Sequence, residues 1–213
     1  MANTHTYSSR EEVANAVTHG IGALLSVAAL VLLIVFASLE GTAWHVVSFT
    51  VYGVTMLLLY TCSTLVHSFP EGKVKDLFEI FDHSSIYLFI AGTYTPLLFN
   101  VIQGALGWTL FGIVWGIAVS GIAFKAFFTK RFLFTSTIFY IAMGWMIVFA
   151  WNRLVENFAG GGLILLVVGG ILYTLGTVFY VWRSFPYHHA VWHLFVLAGS
   201  VVHFFAILLY VLP

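Results

Sequence analysis

Charge is what this chain has least of: only 8% of its 213 residues are Asp, Glu, Lys or Arg, against about a quarter in ordinary soluble domains. A water-soluble globule is excluded on that ground. Eight cations balance eight anions, so no basic field exists to draw the chain onto nucleic acid, and DNA and RNA are excluded as partners. Cysteine is equally scarce. The single Cys62 lies in an apolar run, which excludes an internal disulfide framework and a cysteine-based zinc knuckle. What fills the chain instead is apolar, with 61% hydrophobic residues.

A charged side chain at mid-bilayer costs about 2.5 to 3.5 kcal/mol on insertion scales, so the charge-free intervals read as membrane spans of about 20 residues each. Residues 13–39 and 41–70 give the first two, with Trp44 and Tyr60 suited to interfaces. The interval 83–124 is twice too long for one crossing and breaks near Asn100, Gln103 and Gly104, so it holds two. Residues 132–152, 157–182 and 186–213 complete a set of seven, the last entered by Pro186. The expectation is an all-α integral membrane protein: a single seven-helix transmembrane domain over residues 1–213, with a short polar segment at 1–12 and no appended soluble domain. That segment carries Glu11 and Glu12 and lacks a basic start, so the first span reads as retained and not as a signal peptide.

Cations set the orientation, because Lys and Arg accumulate in cytoplasmic loops. With seven spans, Arg10, Lys73, Lys75, Lys125, Lys130, Arg131 and Arg183 share the side of the N-terminus, and only Arg153 lies opposite. The N-terminus is expected in the cytoplasm and the C-terminus outside. The connection near 68–81 reads as an amphipathic interfacial turn. Gly112, Gly116 and Ser120 recur every fourth residue, a spacing that lets a neighbouring backbone approach, and Pro96 is expected to kink the third span.

Nine histidines in so apolar a chain need a reason, because ionisable groups in membrane helices are expensive and mark function. His67 ends the second span, Asp82 and His83 open the third, and His188, His189 and His193 open the seventh, all on the expected cytoplasmic side. His189 and His193 are four apart and so share one helix face, and Ser63 and His67 repeat that spacing. Three neutral imidazoles with a fourth position left to water is the donor set of catalytic zinc. Asp82 would orient that water or act as general base, and the Ser63 hydroxyl would help hold a developing oxyanion.

Each member also has a plainer reading. His67 complements a helix C-terminus, Asp82 caps the third helix, Ser63 packs or bonds backbone, and the polar set as a whole is a hydrogen-bonded cluster or proton relay. His19, His83 and His188 read as non-ligands, and His203 as a buried hydrogen-bonded histidine. Two other seven-helix classes fall away. No lysine follows Lys130, so none is embedded to hold retinal, and a G-protein-coupled receptor would place its N-terminus outside.

The pattern Glu12-x-x-Asn15-x-x-x-His19-Gly20, the runs Ser63 to His67 and Phe81 to Ser84, Ala91 to Pro96, and His189 to Phe195 followed by Ala198-Gly199-Ser200 resemble the bacterial hemolysin III branch of the progestin and adipoQ receptor family. That family includes the adiponectin receptors and is more distantly similar to alkaline ceramidases. The resemblance spans nearly the whole chain. It implies seven helices, a cytoplasmic N-terminus and an intramembrane zinc held by His67, His189 and His193, with Asp82 on the water and Ser63 beside it. Where the family often has serine, this chain has His188.

The function expected is membrane lipid homeostasis in the bacterial cytoplasmic (inner) membrane, with membrane lipids as partners and a zinc site able to support hydrolysis of a lipid amide or ester. The alternative is a non-enzymatic sensor or receptor-like regulator with structural zinc. Pore formation, suggested by the family's name, fits poorly, since seven apolar spans leave no soluble form. Nothing in the sequence sets an oligomeric state.

Overall fold

The computed structural model describes residues 7–129 and 131–212. The expectations placed on residues 1–6 of the polar segment, on Lys130 and on Pro213 lie outside the described residues. Among the described residues, seven helical spans are long and apolar enough to cross a membrane: Ser9–Glu40, Ala43–Ser68, Lys73–Ile102, Gly104–Phe128, Leu133–Asn157, Gly160–Val181 and His188–Tyr210. No strand occurs among the described residues. The α-helical segments are α1 (Ser9–Glu40), α2 (Ala43–Ser68), α3 (Lys73–Leu97), α4 (Gly104–Phe128), α5 (Leu133–Gly144), α6 (Trp151–Asn157), α7 (Gly160–Val181) and α8 (His188–Tyr210).

Helix α1 starts four residues earlier than charge counting suggests. Ser8 accepts from the Glu11 backbone N–H while the Glu11 carboxylate accepts from the Ser8 backbone N–H, a reciprocal cap that brings Glu11 and Glu12 into the first turn. Its buried residues Asn15, His19, Gly22, Ser26, Ala29, Leu33 and Ala37 fall three or four apart on one stripe. Between its polar first turn and Ser38 the remaining surface is largely apolar and bare, with Leu24 75% exposed, as suits a lipid-facing helix. Helix α1 packs on α2 and α8, α3 packs on α2 and α4, and α7 packs on α8. A Cβ on Gly22 would collide with the Tyr60 ring, so the α1–α2 approach depends on glycine there.

Four local expectations are corrected. The segment 68–81 is no separate interfacial turn, because α3 begins at Lys73 and runs through it. Asp82 therefore sits well inside α3 and caps nothing. Gly112 and Gly116 face open space, whereas Gly121 on the same helix meets Tyr87. Tyr60 is no interfacial residue: it is buried and donates to Ser200 Oγ at 2.7 Å.

Two spans depart from α geometry. After Pro96, which has no N–H to give the preceding turn, α3 passes into a π turn at Leu98–Ile102, and Asn100 Nδ2 donates to the Pro96 carbonyl at 2.9 Å. The fifth span tightens into a 3-10 stretch at Trp145–Ala150 between α5 and α6. Tyr94 of α3 serves this stretch: its hydroxyl donates toward the carbonyls of Met143 (3.0 Å) and Gly144 (2.7 Å) and accepts from the Ile147 N–H at 2.9 Å. Pro186 lies outside α8, which opens at His188 after Tyr187 in the left-handed region (φ 60°).

Candidate metal centre

Helix α2 ends and α8 begins at the same end of the bundle, beside the start of α1. There His67, His189 and His193 each offer a ring nitrogen, and these atoms lie within 4.8 Å of one another. His193 is fully buried and His67 and His189 nearly so. Their ring centroids are 5.0 Å apart for His67 and His189, 5.3 Å for His67 and His193, and 4.5 Å for His189 and His193. Of the two adjacent histidines, His189 joins this set. His188 Nδ1–H instead donates to the Phe179 carbonyl of α7 at 3.0 Å.

The hydrogen bonds show which nitrogen each ring turns inward. His67 Nδ1–H donates to Glu12 Oε2 at 2.6 Å. His193 Nδ1–H donates to the Asn15 carbonyl at 3.2 Å and to Thr18 Oγ1 at 3.1 Å; Thr18 spends its own proton on the Ala14 and Asn15 carbonyls at 2.9 Å each. His189 Nδ1 is bonded to the Tyr7 hydroxyl at 3.0 Å. With Nδ1 protonated, Nε2 carries the lone pair. His67 Nε2 and His193 Nε2 are buried without a hydrogen-bond partner. Buried polar atoms are seldom left so, and convergent imidazole lone pairs with bonded outer nitrogens are the donor set that zinc takes. The residues fit a metal ion.

The other expected site residues stand beside this set and not in it. Ser63 Oγ is bonded to His19 Nδ1 at 2.7 Å, and the His19 ring stacks on His193 with centroids 3.5 Å apart and planes 13° from parallel. His19 is thus drawn into the site through Ser63 and His193. Asp82 lies outside the convergent set but lines, with His19, a cavity of about 180 Å³. Ile86, Phe89, Leu97, Val148 and Leu166 wall that cavity, and His203 stands at its far part, its Nε2–H donating to the Leu166 carbonyl at 3.0 Å. Val148 and Trp151 line it and are exposed on the outer surface of the bundle.

Sequence reasoning misses Glu12 and Tyr7 as site residues. Glu12 belongs to the Glu12-to-His19 pattern, and that spacing was the available signal. Tyr7, just before the Ser8 cap, offers none. Burial raises the Tyr7 phenol well above its usual value, with Arg183 pulling the other way, so it stays protonated.

Seven apolar crossings enclosing a histidine cluster at one end define a multi-pass membrane protein with a candidate metal centre. The chain belongs to the haemolysin-III-related family, whose pattern matches residues 7–204, as the resemblance implied. It is 57% identical over 204 residues to Hemolysin-3 of Bacillus cereus, covering 96% of this chain and 93% of that one. It is 55% identical to the Hemolysin-3 homolog of Bacillus subtilis (strain 168), covering 96% of each. The human monocyte to macrophage differentiation factor is 31% identical over 206 residues, 92% of this chain and 83% of its own length.

Proposed function

We propose that this protein is a zinc-dependent hydrolase of a lipid amide or ester, serving lipid homeostasis in the bacterial cytoplasmic membrane. One observation carries the reading: three histidines converge through their ring nitrogens, and His19, stacked on one of them, lines with Asp82 a largely apolar cavity. Zinc on His67, His189 and His193 would supply Lewis acidity and a water of lowered pKa. The apolar walls fit an acyl chain, entering from the membrane past Val148 and Trp151. Asp82 is the group on the cavity wall suited to take up a proton as general base. With His19 Nδ1–H donating to its oxygen, the Ser63 hydroxyl has a proton to offer a developing oxyanion. Arg10, Lys73, Lys75, Arg131 and Arg183 at the histidine end, against Arg153 at the other, favour a cytoplasmic N-terminus.

Purified protein is expected to contain zinc and to release fatty acid from an acyl lipid, with His67→Ala and His189→Ala depleted of metal and His193→Ala and Asp82→Asn inactive. Equal metal in the ligand variants, or equal turnover in His193→Ala and Asp82→Asn, overturns the reading. A second reading, a lipid-responsive regulator with structural zinc, is favoured by one feature: the ligands join α2 to α8 while their hydrogen-bond partners come from α1 and its leading residues. In that case the ligand variants lose thermal stability and no wild-type turnover exists to lose.

A further inference from the structure

The three convergent histidines arise on α2 and α8, yet each of their Nδ1 atoms is engaged by Tyr7 or by the first three turns of α1. Glu12 and Asn15, three apart, put the partners of His67 and His193 on one face, and Tyr7 leads into that face from the Ser8 cap. We propose that the start of α1 is the outer layer of the metal site. Glu12 and Tyr7 are its positioning residues, holding His67 and His189 with Nε2 turned inward, and the Tyr7 ring closes the site towards the bundle end. This rests on the zinc reading above.

Glu12 is built for the task. One carboxylate oxygen takes the His67 proton and the other takes the Lys75 ammonium at 2.5 Å, and Lys75 is held in turn by Glu71 at 3.1 Å. A carboxylate accepting from Nδ1 fixes the tautomer and makes Nε2 a stronger donor. Tyr7 does less electronically, since a neutral phenol oxygen is the weaker acceptor, but it covers more. Its ring centroid is 6.0 Å from that of His67, 5.9 Å from His188 and 5.0 Å from His189. The segment is tied down independently of the histidines, because Glu11 Oε1 accepts from the backbone N–H of Tyr187, the left-handed residue that leads into α8. That bond supplies a control: Glu11→Gln weakens the tie and leaves the hydrogen bonds of Tyr7 and Glu12 to the histidines in place.

The test is zinc affinity, measured by chelator competition on the purified full chain, together with the visible spectrum of the cobalt-loaded protein and the melting temperature of the metal-free form. Glu12→Gln is expected to weaken zinc binding by about 10- to 100-fold and to shift the cobalt bands, and Tyr7→Phe to weaken it by about 10-fold. Tyr7→Ala is expected to lose zinc to chelator faster than Tyr7→Phe. Glu11→Gln keeps wild-type affinity. Wild-type affinity and spectrum in both Glu12→Gln and Tyr7→Phe overturn the inference alone, as does an equal loss in Glu11→Gln, which would make the segment a mere strap. Wild type that binds no zinc overturns the underlying reading and this one with it.

Discussion

The contact between His19 and Ser63 shows how single polar side chains are settled in an apolar bundle. His19 is 1% exposed and its Nδ1 has Ser63 Oγ as hydrogen-bond partner, while its ring lies flat on His193. Removing the hydroxyl leaves a buried ring nitrogen unsatisfied, which costs about 1–3 kcal/mol. Ser63→Ala is therefore expected to lower the melting temperature of the metal-free protein in detergent, an effect independent of turnover. An unchanged melting temperature would mean that water or another side chain replaces the hydroxyl. At this scale the sequence identifies which residues are polar and which share a helix face, since four-residue spacing follows from the helix itself. It does not pair them. His19 meets Ser63 across 44 positions of chain, and nothing local in either run indicates that.

The irregular elements are held by single residues on neighbouring helices. The 3-10 stretch Trp145–Ala150 interrupts a span where unbonded backbone is costly, and the Tyr94 hydroxyl meets its groups from α3. Tyr94→Phe keeps the ring and loses these bonds. The expected outcome is a stability loss of about 1–3 kcal/mol with faster amide exchange at residues 145–150, read by hydrogen exchange; exchange unchanged in that stretch would count against the assignment. The break at Pro96 is legible in the sequence because proline removes a known donor. The 3-10 stretch is not, since its residues are ordinary helix and membrane formers. The glycines illustrate the same limit: the regular stripe at Gly112 and Gly116 faces open space while Gly22 and Gly121 take the close approaches, because rotation about the helix axis decides which face meets a neighbour.

At the scale of the molecule, the proposed orientation places the histidine centre towards the cytoplasm. Cysteine introduced at Arg153, in a Cys62→Ser background, is expected to react with a membrane-impermeant maleimide added to intact cells, and cysteine introduced at Lys73 only after the membrane is opened. The reverse pattern would invert the bundle. The number of crossings and their approximate limits are determined by the sequence alone, because the cost of placing charge in hydrocarbon is paid residue by residue and can be read along the chain. The candidate metal ligands are nearly determined too, through the gathering of histidines at helix ends on one side and the spacing of His189 and His193. Only the tertiary structure decides that α1 lies against both α2 and α8, that Glu12 and Tyr7 face the histidines, and that Asp82 borders a cavity instead of capping a helix. Those outcomes depend on which helices become neighbours and how each is turned, and hydrogen bonds between distant segments form only once both are fixed.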